Sequence, residues 1–345
     1  MSTGGATVAG QTGSSGRDRD EQRTTLAKAL NLALRSSMEL DSSVLIMGED
    51  VGRLGGVFRV TEGLQKDFGE NRVIDTPLAE SGIIGTAVGL AMRGYRPVTE
   101  IQFDGFVFPG FDQIISQVAK VTYRSQGAFS MPMVIRIPFG GGIGAVEHHS
   151  ESPESLFCHI AGLRVVACST PQDAYDMLRE AIACDDPVVF FEPKRRYWEK
   201  GPVDIGTPPQ GSTFSSVVRR PGTDVTVVTY GPSVAVALAA AEAAATEGRS
   251  LEVIDLRTLS PLDLDPVLES VRRTGRAVVV TEAPRESSIS ADVAARITEE
   301  AFYSLAAPVQ RVAGYDVPYP PSKAEHHYLP DLDKVLDAVD RTYAF

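Results

Sequence analysis

Residues 75–103 read DTPLAESGIIGTAVGLAMRGYRPVTEIQF. Thr76-Pro77 is an extended entry, because the residue before a proline is kept out of helical backbone. From Glu80, apolar residues and glycines dominate through Leu90, with no charge before Arg93. This predicts a helix over 80–93 that is buried nearly all round. An extended segment over 98–102 follows. Helices alternating with short apolar strands build a parallel sheet with crossover helices.

The same rhythm extends in both directions. Leu26, Ala29, Leu30, Ala33 and Leu34 recur at helical spacing, and Val44-Leu45-Ile46-Met47 reads as a buried strand. Downstream, the pattern predicts helices over 111–123 and 171–183 and strands over 133–138 and 187–191. Residues 199–222 break it with four prolines (Pro202, Pro208, Pro209, Pro221) and four glycines, and read as a linker. A second alternation begins there: strand 224–230, helix 233–246, strand 251–255, helix 264–272, strand 277–281, helix 289–304, strand 309–313. The expectation is two α/β units, over 24–198 and 223–345. Residues 1–23 are mostly small and polar, then charged in Arg17-Asp18-Arg19-Asp20, and read as a disordered tail. They hold neither the apolar stretch of a secretory signal nor the acid-poor composition of a transit peptide.

The 345 residues carry 33 Lys plus Arg against 45 Asp plus Glu, a formal net charge of −12. Nonspecific nucleic-acid binding and docking on anionic membranes both need a cationic surface, so neither is expected. No apolar run approaches a membrane span of roughly 18 residues. The cysteines, Cys158, Cys168 and Cys184, are three in number and form no CxxC. They describe a reducing compartment, here the cytoplasm, without a disulfide framework.

Common motifs are absent. There is no GxxxxGK[ST] of a P-loop and no GxSxG of an esterase elbow. Gly140-Gly141-Gly142-Ile143-Gly144 follows a strand, but no apolar helix comes after it to hold a pyrophosphate. Those glycines read as a turn or a close backbone approach. Glu147, His148, His149 and Glu151 crowd the next loop. Adjacent loop histidines lack the one-face geometry of HExxH. They are either an exposed pair or a proton donor and acceptor beside a reacting centre. His326-His327 has no chemical surroundings and reads as structural. Glu80 is either a charge favoured by the helix N-terminus or a buried acid awaiting a partner.

The chain resembles the β chain of the thiamine diphosphate-dependent 2-oxo acid dehydrogenases, the decarboxylating first component of large multienzyme complexes. The resemblance lies in residues 45–51 (LIMGEDV), 55–58 (GGVF), 75–80 (DTPLAE), 100–103 (EIQF), 108–113 (FPGFDQ), His149-Ser150, 253–258 (VIDLRT) and 314–320 (GYDVPYP). These landmarks span about 24–335. Residues 100–103, 190–193 (FFEP) and 282–284 (EAP) look closest to the branched-chain enzymes, which act on 3-methyl-2-oxobutanoate; the pyruvate and acetoin members are the near alternative.

The resemblance implies a fold of two parts, a transketolase-like pyrimidine-binding α/β domain and a C-terminal transketolase-like α/β domain. It implies thiamine diphosphate at the junction with a separate α subunit, which supplies Mg2+ through a Gly-Asp-Gly motif that this chain lacks. Glu80 would hydrogen-bond the N1′ nitrogen of the aminopyrimidine. Leu78 would contribute through its backbone, and Gln102 and Phe106 would hold and cover the ring. Phe106 stands where the branched-chain members often have Tyr, so a hydroxyl contact is lost. His149 would assist acyl transfer to lipoamide; His148 has no matching role. A K+ among backbone carbonyls near 131–134 and 181–186 occurs in some members, although Cys184 stands where Asp is usual. The implied assembly has two α and two β chains docked on a lipoyl acyltransferase core and takes a small 2-oxo acid as substrate. From the residues alone, a self-contained hydrolase using His149 and a noncatalytic assembly module remain open alternatives.

Overall fold

The computed structural model describes Met1 and residues 22–345. The predicted tail therefore lies outside the described residues except at its two ends. Gln22 and Arg23 belong to a strand, Gln22–Thr25, that pairs antiparallel with Lys200–Val203.

Two larger sheets carry the fold. The first has seven strands in the spatial order Thr258–Ser260, Arg164–Ala167, Val188–Pro193, Val134–Phe139, Arg96–Glu100, Val44–Gly48, Val73–Asp75. All its neighbours run parallel except Thr258–Ser260, which lies antiparallel on the edge. The second has five, in the order Gln310–Gly314, Ala277–Pro284, Val225–Thr229, Leu251–Asp255, Val217–Arg220, again parallel but for the last. The chemistry follows from burial. Val44–Gly48, Val134–Phe139, Val188–Pro193, Val225–Thr229 and Leu251–Asp255 are buried at every position. Strands covered by helices on both faces need continuous rather than alternating apolar runs.

The covering helices are capped by their own sequence. Thr25 accepts from the Lys28 amide at 3.2 Å at the start of Leu26–Leu40. Thr170 accepts from the Asp173 amide at 3.1 Å, with Pro171 in the first turn of Pro171–Ala183. Each cap satisfies an amide that the helix leaves unpaired, and proline there loses nothing. These two helices pack together through a core that includes Leu26, Leu30, Leu34, Ala174, Met177 and Leu178.

Four expectations are corrected. The stretch read as a linker carries a strand near each end, Lys200–Val203 and Val217–Arg220, because the valines there reach sheet edges despite the flanking prolines. The second alternation also sends Thr258–Ser260 back to the edge of the first sheet. The helix predicted over 111–123 is interrupted at Ile114–Val118 by a wider turn, in which the Ala119 amide reaches the Ile114 carbonyl at 3.0 Å. One residue is in effect inserted into the helix. Finally, Glu80–Met92 is not buried all round. Ile83, Ile84, Ala87 and Ala91 face the core, while Ser81, Gly82, Thr86 and Gly89 are exposed. Glycine and alanine raise mean hydropathy without saying which way a face points.

Candidate active site

Glu80 opens its helix where the segment 76–79 leaves the strand Val73–Asp75. Only 8% of it is exposed, and among the described residues its carboxylate makes no hydrogen bond or ion pair. The helix N-terminus favours a negative charge there. Glu49 faces it from the end of Val44–Gly48. Burial first, then the carboxylates of Asp50 and Glu80, push the Glu49 pKa up. Gln102 extends toward the same loop, with its amide nitrogen 3.5 Å from the Glu49 carbonyl and 3.4 Å from an Asp50 carboxylate oxygen. Both are long contacts for a hydrogen bond.

Asp104–Gly110 forms a tight turn against the start of the Glu80 helix. Gly110 lies so close that a Cβ would stand 3.2 Å from the Glu80 carbonyl oxygen. The turn is anchored below by Asp104, fully buried and paired with the equally buried Lys194. Burial pushes the Asp104 pKa up against the pull of Lys194, and pushes that of Lys194 down. The second Asp104 oxygen accepts from the Glu151 amide at 2.8 Å. One buried carboxylate therefore ties this turn to the chain just beyond His149.

His149 sits in an aromatic cleft. Its ring stacks on Phe103 at 3.9 Å with planes 9° apart, and Phe106 meets it edge-on at 5.0 Å. Nδ1 lies 2.8 Å from the His148 carbonyl oxygen. A carbonyl only accepts, so Nδ1 carries the proton and Nε2 keeps its lone pair in the neutral ring. Gly105 makes the approach possible, since a Cβ there would stand 2.3 Å from the His148 carbonyl oxygen.

A buried ionic network lies beneath. Arg136 bonds Glu100 at 2.6 Å and Glu192 at 2.7 Å and 2.9 Å, and the Tyr197 hydroxyl donates to Glu192 at 2.6 Å. Burial works against the Arg136 charge, but Glu192 and Glu100 hold its pKa above the ordinary value. Phe58 links this floor to the cleft, 4.8 Å from the Tyr197 ring and 5.4 Å from Phe103.

Of the residues singled out from the sequence, Phe106 and His149 touch, and Glu80 and Gln102 converge on the Glu49-Asp50 loop. Leu78 is 70% exposed at the rim. Phe103, Glu49 and Glu154 join them without an expectation from the sequence. Phe103 is visible in retrospect as the partner of Phe106 at i, i+3. Glu154 leaves no such signal, standing between Pro153 and Ser155 in an apparent loop. It is fully buried, accepts from the Tyr230 hydroxyl at 2.5 Å, and burial raises its pKa to about 7. At 131–134 and 181–186, the carbonyls of Ile182, Ala183 and Cys184 already accept from Arg96 at 3.0–3.2 Å. Among the described residues no three His, Cys, Asp or Glu side chains cluster as metal ligands, and no helix is long and apolar enough to cross a membrane.

Comparison with known proteins matches residues 22–199 to the transketolase pyrimidine binding domain and 215–335 to the transketolase C-terminal domain. The chain is 63% identical to the pyruvate dehydrogenase E1 component subunit beta of Leifsonia xyli, over 94% of this chain and 96% of that one. It is 56% identical to the 3-methyl-2-oxobutanoate dehydrogenase subunit beta of Mycobacterium tuberculosis, over 93% and 92%. A solved split-gene transketolase, described as an inactive beta4 tetramer, superposes with a TM-score of 0.74 at 22% identity, covering 94% of this chain and 99% of that one. At that identity the likeness concerns the fold.

Proposed function

The chain belongs to the β subunits of the 2-oxo acid dehydrogenase first component, and from that premise we propose that it is one half of a branched-chain enzyme acting on 3-methyl-2-oxobutanoate with an α subunit. Pyruvate is the second reading, and the 63% identical relative carries it. The observation that supports the catalytic reading is Glu80, a residue 8% exposed whose carboxylate has no hydrogen-bond or ion-pair partner among the described residues. Its unpaired oxygens are not among the fully enclosed ones, so their lone pairs stay open to a group from outside.

The residues fit thiamine diphosphate on that ground. Glu80 would hold a proton at the pyrimidine N1′, and Gln102 would orient the ring beside it. Phe106 would cover the ring and keep water away, as an apolar aromatic face does. The Leu78 backbone stands at the rim, where it would meet the same ring. When bound, the cofactor supplies the electron sink that makes loss of carbon dioxide accessible. His149, with its Nε2 lone pair free, would move the proton at the acyl-transfer step to lipoamide.

The partner reading has its own support. Ser81, Gly82, Thr86 and Gly89 leave a shallow face on the Glu80 helix, with Leu78 just before it and Phe108 on the turn packed against it both exposed. An α chain would cover that apolar rim, bring Mg2+ to the diphosphate end, and complete an assembly of two α and two β chains on a lipoyl acyltransferase core. For K+, Arg96 already engages three of the carbonyls in 181–186.

The test is carbon dioxide release by the co-purified α–β pair, supplied with thiamine diphosphate and each 2-oxo acid in turn. Faster turnover of 3-methyl-2-oxobutanoate supports the branched-chain reading. Strong preference for pyruvate replaces it with the second.

A further inference from the structure

The segment that delivers His149 leaves the strand Val134–Phe139 as Gly140-Gly141-Gly142-Ile143-Gly144. Its base is closed by the Gly140 amide on the Glu151 carbonyl at 2.9 Å, and its tip by the His149 amide on the Val146 carbonyl at 3.0 Å. Between these, the amides of Gly141, Gly142 and Gly144 donate to side chains from the second half of the chain. Gly141 donates to Glu282 at 2.5 Å. Gly142 is shared between Glu325 Oε2 at 3.2 Å and the Tyr319 hydroxyl at 3.3 Å, and Gly144 donates to Glu325 Oε1 at 3.2 Å. Tyr319 in turn donates to Glu325 Oε2 at 3.0 Å. One carboxylate thus spans two amides of a loop whose glycines sit at φ +86° and +71°.

Glycine at positive φ is an entropically expensive way to hold a fixed shape unless something outside the loop locks it. The loop also lies flat on Tyr319: a Cβ on Gly141 would overlap the hydroxyl at 1.8 Å. Charge-assisted bonds from amides to carboxylate are stronger than neutral ones, and two on one group fix orientation as well as position. From here the backbone runs through Ala145 and Val146 directly into the turn Glu147–His149.

We propose that Glu325, steadied by Tyr319, is a positioning residue for His149: it holds the 140–144 loop so that the imidazole stays stacked on Phe103 and aimed at the acyl-transfer step. This rests on the reading of His149 given above. The bonds of this carboxylate go to Gly142, Gly144 and Tyr319 and none to Glu80, Glu49 or Gln102, so its removal should affect the second half-reaction and spare the first.

The experiment uses the assembled α–β enzyme and separates the half-reactions. Decarboxylation is followed with a small artificial oxidant in place of lipoamide, and acyl transfer with a lipoylated domain. For Glu325→Gln, kcat for acyl transfer is expected to fall about tenfold while dye-linked decarboxylation stays within about twofold, the mark of a misplaced group rather than lost binding. His149→Ala is run alongside. If it skews the two rates and Glu325→Gln does not, or lowers both equally, the positioning proposal is overturned and the His149 reading stands. If His149→Ala leaves acyl transfer unchanged, the His149 reading itself fails, and this proposal with it. Should Glu325→Gln not assemble, Tyr319→Phe decides: a smaller skew in the same direction supports the proposal, and no skew overturns it.

Discussion

At the scale of single residues, the site depends on where acids are buried and what they face. Glu154 gives a pH test at a residue with no proposed chemical role. Its pKa is raised from 4.5 to about 7 in the folded chain, with burial the largest cause. The folded state therefore binds more protons than the unfolded state between those two values, and stability falls as pH rises through that window. The full contribution is on the order of 3 kcal/mol. Glu154→Gln keeps an acceptor for Tyr230 and has no charge to bury. Its thermal midpoint should match the parent at about pH 4 and exceed it at about pH 8; equal midpoints at both would refute the burial argument. Phe103 shows what the amino-acid order hides at this scale. The EIQF motif was visible, but that its phenyl ring stacks on His149 depends on a turn that brings residues 46 positions apart together.

At the scale of elements, packing decides. Leu30 is fully buried between the helices Leu26–Leu40 and Pro171–Ala183. Leu30→Ala should lower unfolding stability by about 2–5 kcal/mol, read from denaturant midpoints. Gly105→Ala would place a Cβ 2.3 Å from the His148 carbonyl oxygen, so the turn bearing His149 must move. Acyl transfer should suffer more in that variant than dye-linked decarboxylation, and equal losses would argue against so local an effect. Elements with strong local patterns were legible in the sequence. The helix Ser233–Thr246 and the strand Leu251–Asp255 begin and end where the apolar pattern places them. Elements set by distant partners were not. Thr258–Ser260 is three residues long and exists because Arg164–Ala167 offers it an edge. Lys200–Val203 likewise answers Gln22–Thr25 across the chain. The wide turn at Ile114–Val118 adds a residue that a helical repeat does not reveal.

At the scale of the whole molecule, the Asp104–Gly110 turn packs on the Glu80 helix at one end and carries Phe106 against His149 at the other. Gly89 lies on the exposed face of the Glu80 helix, and a Cβ added there would meet nothing within 4 Å. Gly89→Leu should leave the β chain folded, even gaining about 1 kcal/mol of helix propensity. It should nonetheless block assembly with the α subunit, as read by light scattering; a normal tetramer would show that this face is not covered. Glu80 stands out in the sequence because an acid opening an uncharged helix is conspicuous, but its place at the cofactor comes from the resemblance, and the shallow face beside it is hidden by glycines that read as core. The most direct measurement is turnover and thiamine diphosphate binding by the α–β enzyme carrying Glu80→Gln. The account predicts an assembled, folded complex with weakened cofactor binding and carbon dioxide release reduced at least about a hundredfold. Near-normal turnover by that variant would contradict it.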